Sequence, residues 1–280
     1  MAGSATVAPF RRLWTVSADF DLARELESRI GDRRGVWEFV REFAAAWSTP
    51  LCPEDGCCGG DLMAAERRLG LRLPVAVWEA YALFGRRRDL TSNQDSLDAR
   101  FEWYVDRSDA VPVLVYRTEN QGACVWGVRL VDFDGRFPLE GQLSLDFGLV
   151  RKDAGVAASP DDPPVVVETG NGWRPYLDRF SVACVEMLLW ESLSAVKDLY
   201  DFQDLSEETS IATLEQRYTP LALPAYSIYD GQSMRWFSGP DAIICLDGRR
   251  TLWVRARTRT ALDSLRQELP GPWLTVDLQA

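Results

Sequence analysis

Apolar residues recur at helical spacing in the first part of the chain. Over residues 34–47 they fall on one face, which predicts an amphipathic helix that Pro50 stops. An earlier helix can be capped by Asp19 or Asp21 and ends near Ile30. The pattern therefore predicts two helices before the first loop rich in proline and glycine.

A Leu-Gly turn and a Leu-Pro step separate two further predicted helices. Asp61 can cap a short helix that reaches Leu69, and Gly70 ends it. Pro74 stands in the first turn of the next helix and Gly85 just past its end, an asymmetry that is typical of helices. The apolar face of this second helix consists of Val77, Trp78, Tyr81 and Phe84.

The middle and the end of the chain favour β-strands. Two β-prone runs are separated by the letters TENQG, which indicate a tight hairpin, and a second pair of runs flanks Gly248 in the same way. The predicted strands are 111–117, 123–131, 165–167, 241–247, 251–257 and an edge strand over 273–277.

The order of these elements predicts the fold class. Helices come first, then strands, then the longest helix over 179–200, then more strands and a last helix over 261–269. We expect an α+β fold in which N-terminal helices pack on a largely antiparallel or mixed sheet, with a long helix in the C-terminal half. Residues 1–33 are expected to be an N-terminal extension with one helix, and 34–280 a single domain in which 200–240 form an insertion or lobe.

The net charge of the chain limits the kinds of molecule that it is expected to bind. The chain has 31 basic and 42 acidic residues, a net charge of −11, and residues 161–220 contain 4 basic and 12 acidic residues. A negative protein is repelled by nucleic acid and anionic lipid, whereas an acidic surface attracts a basic protein. The other interpretation is that the acidic residues serve solubility. No apolar stretch approaches the roughly 20 residues of a membrane span, and the N-terminus lacks a signal-peptide pattern, so we expect a cytoplasmic protein.

The residue types exclude much of catalytic chemistry. The chain contains no histidine, so Ser–His–Asp catalysis, Cys–His catalysis and His-liganded metal sites are excluded. No phosphate-binding loop, dinucleotide fingerprint or nucleophile elbow is present. Carboxylate acid–base chemistry stays open, although 42 acidic residues make accidental pairs common. We expect no catalytic residue and no cofactor.

Three cysteines lie together in a glycine-rich loop. The spacing of Cys52, Cys57 and Cys58 matches no standard zinc site, and adjacent cysteines rarely ligate one ion. A reducing cytoplasm keeps such thiols free. We therefore expect no metal at this loop, while a redox role stays open.

The segment AERRLGLRLPVAVWEAYALFG, residues 65–85, resembles the opening motif of the SUKH superfamily, which also contains the yeast Smi/Knr-type regulators. The hairpin is similar too, since a strand leads through ENQG into a strand that bears a tryptophan. The loop 53–56 and the segment 89–95 are similar to those of bacterial members. The resemblance covers roughly residues 34–200, with weaker similarity to 275. The matching residues are Leu69, Gly70, Leu73, Pro74, Tyr81, Gly85, Glu119, Asn120, Gln121, Gly122 and Trp126.

This resemblance implies a non-enzymatic bacterial binding protein. Members of the family mostly act as immunity proteins, which bind and block a toxin made by the same cell lineage. The toxins are often nucleases or nucleic-acid deaminases with basic clefts. The motif residues are expected to hold the fold, because the partner-binding surface varies between members of the family.

Five acidic residues near the predicted end of the long helix form the candidate partner-binding surface. Negative charge at a helix C-terminus opposes the macrodipole, which hints that a partner uses it. An acidic surface can occupy a basic cleft with fast, salt-sensitive association. A solvated acidic loop is the other interpretation. The residues are Asp198, Asp201, Asp204, Glu207 and Glu208.

Three classes of function follow from the sequence. The first is neutralisation of a cognate toxin by stoichiometric binding, and the second is a regulatory or scaffold interaction of the Smi/Knr type. The third is an enzyme that uses carboxylate or cysteine chemistry. A neighbouring toxin gene would favour the first class over the second, and a deep pocket with convergent polar groups would favour the third. The partner and the oligomeric state stay open.

Overall fold

A computed structural model describes residues 20–97, 103–130, 159–204, 208–229, 233–248 and 251–274, with the side chains of 208–210 outside that description. These residues form an α+β fold in which helices surround and cover two antiparallel sheets. The helices are α1 Leu22–Arg29, α2 Arg33–Trp47, α3 Gly59–Leu69, α4 Val75–Phe84, α5 Arg88–Thr91, α6 Phe180–Leu193, α7 Glu208–Arg217 and α8 Arg259–Glu268.

The strands form two separate sheets. In the first, the order is β1-β3-β4-β5-β6, and β2 pairs with β3 beside β1. In the second, the order is β7-β11-β10-β9-β8. The strands are β1 Ser96–Leu97, β2 Tyr104–Asp106, β3 Val113–Thr118, β4 Val125–Arg129, β5 Val165–Glu168, β6 Trp173–Leu177, β7 Tyr200–Asp204, β8 Thr219–Pro220, β9 Met234–Gly239, β10 Ala242–Asp247 and β11 Thr251–Ala256.

The N-terminal helices begin and end close to the predicted residues, with one exception. Asp61 does not cap α3, because the helix begins earlier, at Gly59, and the cap is Cys58, whose sulfur accepts a hydrogen bond from the backbone N–H of Asp61. The carboxylate of Asp21 accepts a hydrogen bond from the backbone N–H of Arg24 at 3.1 Å and so caps α1. At the end of α3, Gly70 has a φ of 68°, the left-handed conformation that glycine adopts without strain. Pro74 directly precedes α4. The predicted helix pair and the hairpin of β3 and β4 are therefore confirmed.

Two residues of the Leu-Gly/Leu-Pro motif have clear packing roles. The hydroxyl of Tyr81 accepts a hydrogen bond from the indole N–H of Trp103 at 2.9 Å in the core. A Cβ atom on Gly85 would lie 2.7 Å from the carbonyl oxygen of Tyr81 and 2.9 Å from the sulfur of Cys57. The close approach of α4 to the cysteine loop thus requires glycine at this position.

Helix α6 lies at the centre of the molecule. Thirteen of its 14 residues are buried, and only Trp190 is partly exposed. It contacts α2, α4 and α5 on one side and strands β6 and β11 on others. A helix that is apolar on all faces is stable only when other elements surround it.

The predicted end of this helix is wrong. The helix stops at Leu193, not near Tyr200, and the chain then forms a short 3-10 turn over Lys197–Leu199 before strand β7. Strand β7 pairs with β11 along its whole length. Residues 200–240 thus supply strands to the second sheet, because pairing with a strand 50 residues later overrides the local helical pattern.

The second sheet is buried on both faces. Ile243 and Cys245 belong to the main core with α6, while their neighbours Ile244 and Leu246 face a second core beneath α8. This arrangement explains why β10 reads as a continuous apolar run rather than an alternating one. The predicted edge strand over 273–277 lies mostly outside the described residues, and 273–274 are not strand.

Arg255 joins this sheet to the helices. Its guanidinium donates to the backbone oxygens of Ser192 and Trp47, at 2.8 and 2.7 Å, near the C-terminal ends of α6 and α2. Burial lowers the pKa of Arg255 to about 10. Helix C-termini carry partial negative charge, so these two stabilise the guanidinium of Arg255, for which no carboxylate partner lies among the described residues.

No helix in the described part of the chain is long and apolar enough to cross a membrane.

Two aromatic residues of α4 differ in how deeply they are buried. Phe84 is fully buried, and Trp78 is partly exposed but packs against the main core. Trp126 is 1% exposed, so both tryptophans are mostly buried, as predicted. We expect Phe84→Ala to lower the free energy of unfolding by about 3–5 kcal/mol and Trp78→Ala by clearly less, because less surface returns to water. Urea denaturation of both variants measures this, and equal losses would contradict the packing of α4.

Candidate partner-binding pocket

The five acidic residues of the predicted binding surface do not form one surface. Asp198 is exposed in the 3-10 turn, but Asp201 is fully buried. The carboxylate of Asp201 accepts a hydrogen bond from Nε of Arg266 at 2.9 Å and forms an ion pair with the same guanidinium. The assignment of Asp201 to a binding surface is therefore wrong, because strand alternation turns its side chain toward α8.

The remaining members of that set are dispersed. Asp204 is exposed and accepts a hydrogen bond from the hydroxyl of Thr251 at 3.1 Å. Glu207 lies outside the described residues, and Glu208 begins α7 with its side chain outside that description. Since α6 ends at Leu193, the macrodipole argument for this segment no longer holds.

A pocket of about 270 Å³ lies instead beside the ENQG turn. Its walls come from the loop before β1, the β3–β4 hairpin, α6 and the second sheet, so residues far apart in the sequence meet here. The lining residues are Gln94, Asp95, Glu119, Asn120, Gln121, Ala123, Cys124, Trp126, Trp190, Ile228, Tyr229, Met234 and Asp247.

The turn that forms one wall is held by its own glutamate. The carboxylate of Glu119 accepts hydrogen bonds from the backbone N–H groups of Gln121 at 2.8 Å and Ala123 at 3.0 Å. Gly122 adopts a φ of 73°, which favours glycine at this position. The motif residues thus shape the turn, as the sequence predicts, and they also present its polar side chains to the pocket.

A buried ionic cluster lies directly behind the pocket. The guanidinium of Arg117 in β3 contacts Asp95 at 2.7 Å, Glu186 at 3.1 Å and Glu191 at 3.4 Å. It also lies 4.3 Å from the ring centroid of Trp126. Because Asp95 belongs to both the cluster and the pocket wall, the cluster contributes its charge to the pocket.

Hydrogen bonds extend this cluster to both sheets. The carboxylate of Glu191 accepts from the backbone N–H groups of residues 93–95, at distances of 2.6 to 3.1 Å. Glu186 accepts from the hydroxyl of Tyr226 at 3.2 Å, and this hydroxyl accepts from the indole of Trp236 at 2.7 Å. The cluster therefore fixes the loop before β1 and the second sheet relative to α6.

Three carboxylates share one guanidinium in this cluster. Burial raises the pKa of Asp95, Glu186 and Glu191, and Arg117 opposes that effect without cancelling it. By number, the cluster has three acidic groups and one basic group.

Two further groups define the chemistry of the pocket. The carboxylate of Asp247, at the end of β10, has no hydrogen bond or ion pair with any described residue, and burial raises its pKa. Burial also raises the pKa of Cys124 to about 12, so its thiol stays protonated near neutral pH. A protonated thiol is a poor nucleophile.

Two larger concavities lie elsewhere, beside the β9–β10 turn, with volumes of about 530 and 490 Å³. Their charged groups are already paired: Arg217 contacts Glu268 at 3.6 Å and Arg257 contacts Asp241 at 3.4 Å. We therefore place the candidate site in the smaller pocket, where the charge is unbalanced.

The cysteine loop has no features of an activated site. Cys52 and Cys58 are exposed and Cys57 is buried. A hydrogen bond to Glu54 raises the pKa of Cys52, and burial raises that of Cys57. The sulfur of Cys58 accepts from the N–H of Asp61 at the start of α3. Within the described ranges, no group of three or more cysteine or carboxylate residues is arranged to hold a metal ion.

Sequence reasoning missed most of this pocket. Trp190, Tyr229 and Asp247 were not singled out, and Asp95 appeared only within the segment similar to the family. One signal was present: Arg117 interrupts an apolar strand, and a charged residue in a buried strand requires a buried partner. That signal predicts a buried ion pair but not the pocket in front of it.

Comparison with protein-family models, with curated proteins and with solved structures finds no match to this chain. The similarity to the SUKH superfamily therefore rests on the motif residues.

The ionic cluster predicts a pH dependence of stability. A raised pKa means that each of these three carboxyl groups binds more protons in the folded chain than in the unfolded chain. Its contribution to stability is therefore full below the unfolded pKa of about 4 and is lost as the pH rises through the raised folded pKa. The lowered pKa values of Asp55, Asp89 and Asp106 act in the opposite direction. With no histidine present, we expect the contribution of the cluster to the melting temperature to decline as the pH rises above about 4. Glu186→Gln removes one titrating group and should make the decline shallower.

Glu38→Gln, at an exposed position, is the matched control and should leave the slope unchanged. Identical slopes for wild type and Glu186→Gln, measured by thermal melting across the pH range, would contradict the raised pKa of Glu186.

The buried and exposed acids should also differ in stability. Asp201→Asn leaves the guanidinium of Arg266 without its buried partner, and we expect a loss of about 3 kcal/mol or more. Asp198→Asn changes an exposed residue and should stay within about 0.5 kcal/mol of wild type. Urea denaturation measures both variants. An Asp201→Asn variant as stable as wild type would contradict the burial of Asp201.

Proposed function

We propose that this chain binds a protein partner stoichiometrically and that the partner is a toxin, as in the immunity proteins of the family that it resembles. The observation that carries the proposal is the acidic pocket at the ENQG turn, where three carboxylates meet and no basic side chain lines the described walls. Such a pocket attracts a positively charged surface and repels phosphate.

The resemblance and the pocket support each other. The ENQG turn carries part of the similarity to the SUKH superfamily, and Glu119, Asn120 and Gln121 from this turn line the pocket. A nuclease or deaminase toxin needs a basic surface to hold nucleic acid. An acidic partner can cover that surface and compete with the substrate.

A regulatory interaction of the Smi/Knr type would use the same kind of surface with a different partner. The two proposals differ in one respect, since only an immunity protein protects a cell from its partner. Protection is therefore the property that the decisive experiment measures.

The pocket also favours a second candidate function, an enzyme with two carboxylates as acid and base. Burial raises the pKa of both Asp95 and Asp247, which suits a general acid, whereas the general base must stay ionised. Against it, Asp95 is held by Arg117 at 2.7 Å, and 270 Å³ is smaller than the roughly 300–1,000 Å³ of most ligand sites. Equal turnover of glycoside and ester substrates by wild type and by Asp95→Asn and Asp247→Asn variants would exclude this candidate.

The proposed function predicts protection by a one-to-one complex. The chain is tagged in its native cell, the protein that purifies with it at equal ratio is identified, and that protein is expressed in a different host. We expect expression of the partner to stop growth and co-expression of the chain to restore it. Association should slow as salt is added, because steering between opposite charges is screened.

A partner that is harmless when expressed alone would favour the regulatory interaction instead. An association rate that is independent of salt would show that the acidic pocket does not steer the encounter.

A further inference from the structure

The walls of the pocket present an unbalanced negative charge. Asp95, Glu119 and Asp247 supply three carboxylates, and none of the described lining residues is basic. Glu119 uses its carboxylate to hold the turn, and Asp95 contacts Arg117. Among the described residues, Asp247 has neither a hydrogen bond nor an ion pair.

The cluster behind the pocket adds to that charge. Arg117 is matched against Asp95, Glu186 and Glu191, so two carboxylates in excess lie at or just behind the pocket wall. Charges in a low-dielectric interior act over longer distances than charges in water. A cation that enters the pocket is therefore attracted by its walls and by the cluster together.

Aromatic residues complete the lining. Trp126, Trp190 and Tyr229 all contribute to the pocket, and Tyr229 is 45% exposed. One of these rings already accepts a guanidinium, since Arg117 lies 4.3 Å from the centroid of Trp126. The indole N–H of Trp126 is buried and has no hydrogen-bond partner, although the ring is 1% exposed and lines the pocket.

We propose that the pocket receives a single arginine side chain of the partner protein, with Asp247 as its carboxylate contact. The proposal rests on the proposed function in taking the occupant to be part of a protein. A volume of 270 Å³ suits one side chain better than a whole metabolite. Arginine fits better than lysine, because its planar guanidinium stacks on aromatic rings, is weakly hydrated and binds carboxylates in a bidentate way.

The pocket is tested first without any partner. The probe is N-acetyl-arginine N-methylamide, and the control probe is the citrulline analogue, which has the same shape without the charge. Titrations are followed by NMR of the tryptophan indole N–H signals. We expect saturable millimolar binding of the arginine probe with shifts at Trp126 and Trp190, and binding of the citrulline probe at least tenfold weaker.

Variants then locate the contact. Asp247→Asn should weaken the arginine probe about tenfold or more, since one charge-assisted contact is lost. Asp198→Asn removes the same charge from an exposed position and should leave the affinity unchanged. Tyr229→Ala, which truncates a largely exposed ring, is a second variant that should weaken binding without unfolding the chain. No saturable binding, or equal binding of both probes, overturns the proposal.

The last measurement uses the partner identified by co-purification. Asp247→Asn should raise its dissociation rate about tenfold or more, whereas Asp198→Asn should not. Suppose that Asp247→Asn dissociates from the partner as slowly as wild type, while the wild-type chain still protects cells from the partner. The arginine contact is then overturned and the proposed function stands. If the wild-type chain does not protect cells from the partner, the proposed function fails. The pocket is still supported as a guanidinium site if it binds the arginine probe and Asp247→Asn abolishes that binding.

Discussion

The buried guanidinium of Arg117 is the interaction on which the rest of this structure depends. It draws Asp95 from the loop before β1, and Glu186 and Glu191 from α6, to one point in the core. Removing one member of such a cluster costs about 3–5 kcal/mol, a large share of the 5–15 kcal/mol by which most domains are stable. Well-packed apolar groups often replace a buried ion cluster without loss of stability, so the cluster does not by itself make the fold more stable. Its contacts hold a strand, a loop and a helix at one point.

The central helix α6 must be buried in the core and must also provide partners for its two buried glutamates. Helix α6 is buried on nearly all faces, and it carries two glutamates whose burial is costly without partners. Glu191 is satisfied by three backbone N–H groups, and Glu186 by Arg117 and the hydroxyl of Tyr226. These contacts, with Arg255 at the helix C-terminus, connect both sheets to one helix and leave an acidic pocket where the sheets meet.

The number of acidic residues in a sequence segment does not give the number that are exposed at the surface. Residues 161–220 contain 12 acidic residues, and four of them, Asp162, Glu186, Glu191 and Asp201, are buried. Asp162 accepts from the backbone N–H and the hydroxyl of Ser181 in the first turn of α6. Part of the acidic excess therefore serves capping and core ion pairs. The acidic residues that line the pocket come from three other parts of the chain.

By itself, the sequence determined the elements whose signals are local. Capping at Asp21, the glycine C-cap at Gly70, the proline before α4 and the ENQG hairpin all follow from preferences of a few adjacent residues, and the α+β class follows from their order. Only the tertiary structure decided where α6 ends, that Asp201 faces inward and that Asp95 meets Asp247. The reason is physical: strand pairing, burial and ion pairing join residues dozens to more than a hundred positions apart, and no local pattern encodes which distant partner each residue finds.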